Sequence, residues 1–562
     1  MKKYMKIIPL GGVGKIGYRN CTVYESQDSI VVVDMGLAFP EGATPGIDFT
    51  IVDTNYLEKN IKKVKAIVIT HGHFDHIGGL VHMWQKVPVK LYAMPFSMEV
   101  IKSQFDYKKA KMPTDYELME FGKEYKIDKN FSFEMVQVMH SIPQSGGVYF
   151  KINDKKVFHI SDYRFDDAPI LPERTNYKRL EEIGNDKLDM LLVDSTSAFS
   201  EDNPTETDVK ENTLKAFQEA EKAIAICCFS SNVSRVLMTL QLAEMVDRKV
   251  VVLGASLQKM MEAAVRTGII DAKLVEKVAR KTEDVGNIGR EKLIYLGTGS
   301  QGEEMSAMAR LARDELRGVR LKEGDILVHS ATAIPGNEDS VWDMFELMAK
   351  KGVEVKARHN GYKIHASGHA SRKDLIRMFH IMKPKVIVPI HGTTQHMHEV
   401  ERIIDEQTHS VPCTIAYREF IQIDEENMLE VHDFNENKLL KETGEFAVDG
   451  AWQIPLEDYF IFRQRKFMHE EGAVFISMAL NKAGMIVSQP SITSKGLGDE
   501  DKLKEVYTYA LTNIYRQMKA NNMDRAIKDI EKAREVVRIA GRRAFIQHRG
   551  KKPMTVVDFV KI

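Results

Sequence analysis

The feature that most constrains this chain is a group of metal-binding residue types directly after an apolar segment. The segment "KAIVIT" (65–70) predicts a buried strand, and "HGHFDHIGG" then supplies His71, His73, Asp75 and His76 within six residues. Four such side chains are costly when they are buried without partners. Imidazole and carboxylate groups suit Zn²⁺, and Mn²⁺ where oxygen ligands are numerous. The motif therefore predicts a metal site, and crowding favours two ions over one.

Each of two ions needs further ligands from elsewhere in the chain. Three candidates follow apolar strands: His140 in "VMHSIPQS", Asp162 in "FHISDYRFDD" and His391 in "VIVPIHGT". Residues that follow strands collect at one edge of a sheet. Single polar residues are common at strand ends, so their spacing alone leaves a structural role open for each.

Composition limits the class of protein. A chain of 562 residues with 43% apolar residues predicts several domains. A net charge of −1 gives no overall attraction to nucleic acid or membrane. The four cysteines form no C-x-x-C pair, and no apolar run reaches 18 residues, so we expect a cytoplasmic protein without a transmembrane helix.

The pattern of strands and helices changes along the chain. Strands predominate to about residue 195, and strands and helices alternate from about 207, as in a parallel α/β domain. The segment 372–392 reads as a helix and then a strand, and it fits either region. After about 440 we expect strands in "GAVFISMAL" and "GMIVSQP", helices over 501–540 and a final strand "MTVVDFVKI".

Several motifs resemble known families. H-x-H-x-D-H with a distant His, Asp and His resembles the metallo-β-lactamase superfamily. "LLVDSTSA" with Asp194, "HASGHA" with His365 and His369, and "PIHG" with His391 are similar to motifs of the β-CASP nucleases. "GTGSQGEEMSAMAR" and "IPGNED" further resemble the ribonuclease J family.

The resemblance implies an α/β fold: a metallo-β-lactamase αββα sandwich with an inserted α/β β-CASP domain and a small α+β C-terminal domain. The implied parts are the first part of the sandwich at 1–206, the insertion at 207–371, the return segment and linker at 372–445, and the C-terminal domain at 446–562.

The resemblance also implies the ligand sets of two divalent ions, best suited to Zn²⁺ with Mn²⁺ as the alternative. One ion is expected on His71, His73 and His140, the second on Asp75, His76 and His391, with Asp162 bridging them. A hydroxide shared by the ions would attack the phosphorus of an RNA phosphodiester.

In the implied mechanism His369 is the general acid, and Asp194 orients the site or a metal-bound histidine. The residues expected to line the scissile phosphate are His365, Ala366, Ser367, Gly368 and His369, and the alternative for this loop is a helix start capped by Ser367. Ser231, Asn232 and Val233 are expected to hold a 5′ monophosphate at a helix N-terminus. Ordinary capping by Ser231 or Asn232 is the competing interpretation.

The expected function is endonucleolytic and 5′→3′ exonucleolytic cleavage of single-stranded, 5′-monophosphorylated RNA in rRNA processing and mRNA decay. The resemblance implies a homodimer or homotetramer, with other RNA-decay proteins as partners. The alternatives are a DNA-acting β-CASP nuclease and a small-molecule metallo-hydrolase. His391 disfavours the first, because DNA-acting members have valine there. The 228 residues between Asp162 and His391 disfavour the second.

Four residues depart from the family pattern: Phe74 and Lys15 replace acidic residues, Gln144 replaces Asp, and Ser234 replaces His. None is an expected metal ligand, so their effect falls on orientation and substrate contacts.

The segment "PLGGVGKIGYRN" contains the G-x-G-x-x-G spacing of a dinucleotide-binding loop. It is followed by the alternating run "NCTVYE" rather than a helix, and Lys15 precedes Ile16 rather than Ser or Thr, which also excludes a P-loop. We therefore expect no nucleotide cofactor. The glycines predict a hairpin whose Gly11, Gly12 and Asn20 lie near the metal-binding loops.

Overall fold

The computed structural model describes residues 3–40, 45–334, 336–426, 428–523 and 526–562. Pro335 of "IPGNED" lies outside these ranges. The chain divides into two compact units, the first containing Met1–Ala38 and Ile51–Thr443 and the second Phe39–Thr50 and Gly444–Ile562. Within the described ranges, none of the helices has the length and apolar composition needed to span a bilayer.

The first unit contains a mixed sheet of eight strands. In spatial order they are Leu429–Asp433, Glu419–Ile423, Met5–Gly11, Cys21–Ser26, Ile30–Val33, Val64–Val68, Lys90–Ala93 and Tyr116–Leu118. The predicted strand "KAIVIT" is present at Val64–Val68, and it runs parallel to Ile30–Val33 and Lys90–Ala93.

A second sheet of seven strands completes the sandwich. In spatial order they are Val411–Pro412, Val386–Ile390, Met190–Asp194, Lys155–Ile160, Gly146–Ile152, Phe131–Gln137 and Glu124–Asp128. The strands before Asp162 and His391 and the strand that ends at Asp194 are mutually parallel. Phe131–Gln137 runs in the same direction, because two antiparallel pairings separate it from Lys155–Ile160.

The main core lies between the two sheets. Tyr24 and Val31 of the first sheet share one apolar cluster with Phe133, Phe150 and other residues of the second. The opposite face of the second sheet packs against the helices Tyr177–Asn185, Arg372–Met382 and Thr394–Gln407, which bury Leu180, Phe379 and Ile403 in a separate cluster. The other helices of this part are Asn55–Lys59, Phe74–Ile77, Leu80–Met83, Pro95–Lys108 and Lys438–Lys441.

The alternating region forms a parallel sheet of six strands, as predicted from its pattern. They are, in spatial order, Ala279–Arg280, Lys249–Leu253, Leu293–Gly297, Ile224–Cys227, Ile326–His329 and Glu354–Lys356. The accompanying helices are Glu206–Glu219, Val233–Met245, Ala255–Arg266, Ala272–Val278, Ala307–Ala312 and Glu338–Lys350.

The segment 372–392, which fitted either region by pattern, belongs to the sandwich. Its strand Val386–Ile390 pairs in parallel with Met190–Asp194. The pairing of this strand therefore assigns the segment to the sandwich, which the local sequence pattern did not do.

The second unit contains the predicted final strand, Met554–Lys561, in a three-stranded sheet whose central strand Ala473–Leu480 separates it from Ser491–Lys495. Its helices are Tyr459–Glu471, Glu500–Ala520 and Ile530–Arg549, and Glu445–Asp449 pairs with Trp452–Pro455. The prediction of a strand in "GMIVSQP" is wrong, because that segment forms only an isolated β-bridge, at Ile486. Pro490 lacks a backbone N–H, and the strand begins after it.

The glycine-rich segment forms the predicted strand–turn–strand connection. Met5–Gly11 pairs with Cys21–Ser26, and Gly12, Gly14 and Gly17 have positive φ. Asn20 N–H donates to the carbonyl of Asp75 at 2.8 Å, which confirms that this hairpin lies beside the metal-binding loop.

Gly36 allows a very close approach between its own backbone and that of the metal-binding loop. A Cβ atom there would lie 1.6 Å from the carbonyl oxygen of Asp75 and 2.9 Å from the nitrogen of Asn20. Because both neighbours are backbone atoms, we expect Gly36→Ala to lower the free energy of unfolding by about 1–3 kcal/mol. Thermal denaturation measures this. Gly286→Ala is the control, since a Cβ there meets nothing within 4 Å. Equal melting temperatures for the two variants would contradict the expectation.

Candidate metal centre

The sandwich brings the predicted ligands to one edge. His140, Asp162 and His391 each follow a strand of the seven-stranded sheet, and those strands run in the same direction. The loop after Val64–Val68 supplies the H-x-H-x-D-H residues from the facing sheet. Seven side chains from four loops thus meet in the first unit.

One group of four possible ligands consists of His71, His73, His140 and Asp162. Nδ1 of His73 lies 3.1 Å from Nε2 of His71 and 3.0 Å from Nε2 of His140. Oδ2 of Asp162 lies 3.7 Å and 3.6 Å from those two Nε2 atoms. A tetrahedral ion with bonds of about 2.0–2.1 Å separates its ligand atoms by roughly 3.3 Å, so this spacing fits one metal ion.

A second group consists of Asp75, His76, His391 and again Asp162. Oδ2 of Asp75 lies 3.3 Å from Nε2 of His76 and 3.2 Å from Nε2 of His391. Oδ1 of Asp162 lies 3.5 Å and 3.6 Å from the same two nitrogens. This second set has the same spacing as the first.

Asp162 therefore faces both groups, Oδ2 toward one and Oδ1 toward the other. Its side chain is 2% exposed, and Oδ1 has no hydrogen-bond partner among the described residues. A buried carboxylate oxygen without a donor is costly unless a cation satisfies it. The donor set and this unsatisfied oxygen fit divalent metal binding.

The electrostatics of the two groups differ. Burial lowers the pKa of His73 to about 4 and that of His140 to about 3, which keeps these rings in the neutral form that binds metal. Burial also acts to lower the pKa of His391, but Asp162 and Asp194 raise it well above its usual value. The carboxylates around the second group thus favour a positive charge there.

The second ring nitrogen of each of two ligands, His76 and His391, is held by a group that the sequence did not assign to the site. Nδ1 of His76 donates to Oδ2 of Asp34 at 2.7 Å, and Thr70 donates to the same carboxylate through its N–H and its hydroxyl. Nδ1 of His391 lies 2.8 Å from the hydroxyl of Thr196. The available signal in the sequence was a polar residue, Asp34, at the end of the apolar run "IVVVD". In the structure Asp34 has a positive φ.

Asp194 and His369 form a pair beside the metal-binding groups. Nδ1 of His369 lies 2.8 Å from Oδ2 of Asp194 and 3.9 Å from Oδ2 of Asp162. Burial acts to lower the pKa of His369, but the two carboxylates raise it above its usual value. The ring is 22% exposed, so this imidazole faces accessible space next to the metal-binding groups.

The loop 365–369 approaches the first group through its backbone. The carbonyl of Gly368 accepts a hydrogen bond from Nδ1 of His140 at 2.6 Å, and a Cβ on Gly368 would lie 2.6 Å from Cε1 of that ring. Glycine at 368 thus allows the backbone to approach a proposed metal ligand, and the role of the loop in lining the scissile phosphate stays a prediction. Ser367 caps no helix, since Ser371 caps Arg372–Met382. Ala366 is buried, and His365 belongs to none of the possible metal-binding groups found among the described residues; burial and the charge of Arg235 lower the pKa of its ring.

Ser231, Asn232 and Val233 lie at the start of the helix Val233–Met245. Oδ1 of Asn232 accepts the N–H of Arg235 at 2.9 Å, so Asn232 is the N-cap. Asn232 and Val233 are buried, whereas Ser231 is half-buried. The capping interpretation therefore holds for Asn232, and the neighbouring Ser231 remains accessible to a ligand.

The four departures from the family pattern lie outside the ligand groups. Phe74 is 38% exposed, and Oε1 of Gln144 accepts the N–H of Phe96 at 2.7 Å. Ser234 donates to Oε2 of Glu206, and the ammonium of Lys15 lies 4.4 Å from the ring centre of Tyr18.

Comparison with known families and proteins agrees with this architecture. Four family models match in succession: "Beta-lactamase superfamily domain" at 44–228, "Ribonuclease J, beta-CASP domain" at 221–348, "Zn-dependent metallo-hydrolase RNA specificity domain" at 352–415 and "Ribonuclease J C-terminal domain" at 460–562. Ribonuclease J of Sinorhizobium meliloti is 30% identical over 569 aligned residues, which cover 99% of this chain and 97% of that protein. The chain belongs to the ribonuclease J family.

Other members of the ribonuclease J family are similarly related. Ribonuclease J2 of Bacillus subtilis is 29% identical over 88% of this chain and 87% of its own, and Ribonuclease J of Helicobacter pylori (strain 26695) is 30% identical over 90% and 73%. A crystal structure of a protein of unknown function from Enterococcus faecalis V583 matches 75% of this chain with a TM-score of 0.54 at 16% identity, which supports the fold alone.

The contact between Asp34 and His76 predicts a role in metal affinity for this member of the ribonuclease J family. Asp34→Asn removes the charge that orients His76, and we expect metal affinity to fall by about 10–100-fold. Titration with a chelator, with bound metal measured by mass spectrometry, tests this. The control is Asp325→Asn, which changes a buried carboxylate of the six-stranded sheet region. Unchanged affinity in Asp34→Asn would contradict the assigned role.

Proposed function

We propose that this member of the ribonuclease J family hydrolyses RNA phosphodiesters with two divalent metal ions. Family membership supports metal-dependent cleavage of RNA, and the RNA specificity match at 352–415 spans both the loop 365–369 and His391. One observation carries the proposal of two ions. Asp162 presents one oxygen to each of two separate ligand groups.

The proposed ligands follow from these groups. The first ion is held by His71, His73, His140 and Asp162, and the second by Asp75, His76, His391 and Asp162. Five imidazoles and two carboxylates favour Zn²⁺, with Mn²⁺ as the alternative. When bound, such a pair of ions lowers the pKa of a water molecule and offsets charge on the phosphate oxygens.

His369 is the proposed proton donor to the leaving 3′ oxygen. Its ring lies beside both groups, with centroids 5.4 Å from His140 and 5.5 Å from His391. Asp194 is a positioning residue, since its oxygens lie 2.8 Å from Nδ1 of His369 and 3.3 Å from Nδ1 of His391. The Asp194 carboxylate keeps the proton on Nδ1 and leaves Nε2 directed away from it.

The proposed substrate is single-stranded RNA with a 5′ monophosphate. The N-terminus of the helix Val233–Met245 presents the positive end of the helix dipole beside the half-buried Ser231, which would favour an anion there. An RNA end held there permits 5′→3′ exonucleolytic steps at the metal centre, and internal cleavage needs no end contact. The loop 365–369 places Gly368 and His369 beside the metal-binding groups.

The domain limits are also a proposal: sandwich at 1–206 and 372–445, insertion at 207–371 and C-terminal domain at 446–562. The family matches at 221–348 and 460–562 support the two smaller parts. A homodimer or homotetramer, association with other RNA-decay proteins and a cytoplasmic location stay predictions from the family resemblance.

The first test compares substrates. We expect the purified chain with Zn²⁺ or Mn²⁺ to cleave 5′-monophosphorylated RNA, to cleave 5′-triphosphorylated RNA more slowly, and to leave matched DNA intact. His76→Ala removes a ligand of the second group and should abolish cleavage. Cleavage of DNA but not RNA would favour the DNA-acting alternative, and parental activity in His76→Ala would contradict the metal centre.

A second test concerns the proton donor. We expect His369→Gln to lower kcat by about 10²–10⁴-fold, the usual contribution of a general acid, with bound metal unchanged. His398→Gln is the control, because that ring is 62% exposed on a helix surface. Retained turnover would exclude His369 as the acid. A parallel loss of metal would instead make it a ligand, which its place in the third group of Asp162, Asp194, His369 and His391 allows.

A further inference from the structure

A buried chain of alternating charges runs between the metal centre and the helix Val233–Met245. Its four members, each at most 4% exposed at the side chain, are Asp166, Arg164, Glu206 and Arg235. Arg164 Nη2 donates to Asp166 Oδ2 at 2.6 Å. Glu206 Oε1 lies 4.0 Å from Arg164 Nη1 and 3.6 Å from Arg235 Nη2. Buried charges of this kind depend on their partners, so a shift in one affects the next. We call these four residues the charge chain.

One end of the charge chain holds the loop 365–369. Arg164 Nη1 donates to the carbonyl of Ser367 at 2.9 Å. The next carbonyl, that of Gly368, accepts from His140, and the following residue is the proposed proton donor His369. A movement of Arg164 is therefore transmitted over two residues to both a proposed ligand and the proposed acid.

The other end is Arg235, in the first turn of the helix whose N-terminus is the proposed site for the 5′ phosphate. Arg235 is the third residue of the helix, and Nε and Nη2 of its fully buried guanidinium have no hydrogen-bond partner among the described residues. The preceding residue, Ser234, donates to Oε2 of Glu206 at 2.9 Å. The first turn of the helix is thus tied to the charge chain by a charge pair and by a hydrogen bond.

We propose that the charge chain couples occupancy of the helix N-terminus by a 5′ phosphate to the position of the loop 365–369, an inference that rests on the proposed function. A phosphate at the helix N-terminus competes with Glu206 for the charge of Arg235, and low-dielectric surroundings strengthen that competition. Glu206 then pairs more closely with Arg164, which orders the loop. The 5′ phosphate thereby raises kcat as well as affinity.

The test compares RNA of one sequence with a 5′ monophosphate or a 5′ hydroxyl group. In the parent we expect kcat to be higher for the monophosphate. In Glu206→Gln, which keeps the shape and removes the charge, we expect the ratio of the two kcat values to fall by at least about fivefold, the lower range of measured couplings. The kcat for 5′-hydroxyl RNA and the bound metal should change little.

The control is Glu134→Gln. Glu134 is 8% exposed and pairs with Arg179 through both oxygens, as a buried acid that belongs to neither the charge chain nor the loop. Should Glu206→Gln fold poorly, Ser234→Ala removes only the hydrogen bond to Glu206 and should lower the same ratio by a smaller factor.

A second readout is independent of turnover. Uridine 5′-monophosphate should slow hydrogen–deuterium exchange in residues 365–371 of the parent and leave exchange unchanged in Glu206→Gln.

Two results would overturn the coupling and leave the charge chain with a structural role only: an equal loss of kcat on both RNAs in Glu206→Gln, or equal protection from exchange in both proteins. Equal kcat values of the parent for RNA with a 5′ monophosphate and RNA with a 5′ hydroxyl group would also overturn the coupling, without contradicting the ribonuclease activity. Absence of all RNA cleavage by the parent would instead refute the proposed function, and the coupling with it.

Discussion

The arrangement of the site depends on one buried carboxylate, that of Asp162. Its two oxygens face two groups of imidazoles, so positive charge in either group stabilises the ionised form of Asp162. Any protein that keeps such a carboxylate ionised must surround it with cations or donors. On one side burial lowers the pKa of His73 and His140, so compensating charge there would come from bound metal, whereas on the other side carboxylates raise the pKa of His391. The sandwich makes this possible because its strands end together at one edge.

The backbone around the centre is held in conformations that ordinary residues avoid. Asp34 and His391 both have positive φ, at 63° and 55°. Hydrogen bonds hold each of them: Asp34 N–H donates to the carbonyl of Val68, and His391 N–H donates to that of Gly12. Such conformations persist only where the surrounding structure requires them. The opening hairpin, which by spacing resembles a cofactor loop, thus supports a metal ligand.

Much of the site was predictable because its signals are local. The close spacing of His71, His73, Asp75 and His76 predicts a metal-binding loop without any knowledge of the fold. The rule that polar residues after strands meet at one edge adds His140, Asp162 and His391. The contact of Asp34 with His76 was not predictable, since it spans 42 residues and depends on how two strands lie in register. The error in "GMIVSQP" is of a different kind. Its apolar residues favour a strand, but Pro490 has no backbone N–H, and the observed strand begins after it at Ser491.

The order of the site along the chain explains why the insertion matters to the chemistry. Asp194 precedes the six-stranded sheet region, and His369 follows it, 175 residues later. The pair therefore forms only when the chain has passed through the region that contains the helix Val233–Met245 and has returned to the sandwich. Arg164, which precedes Asp194 in the sandwich part of the chain, donates to the carbonyl of Ser367 in the returning segment. The helix proposed to hold the 5′ end of RNA and the loop that carries the proposed proton donor are thus joined through buried, charged side chains. An apolar path would pack as well, but it would not respond to the charge of a phosphate.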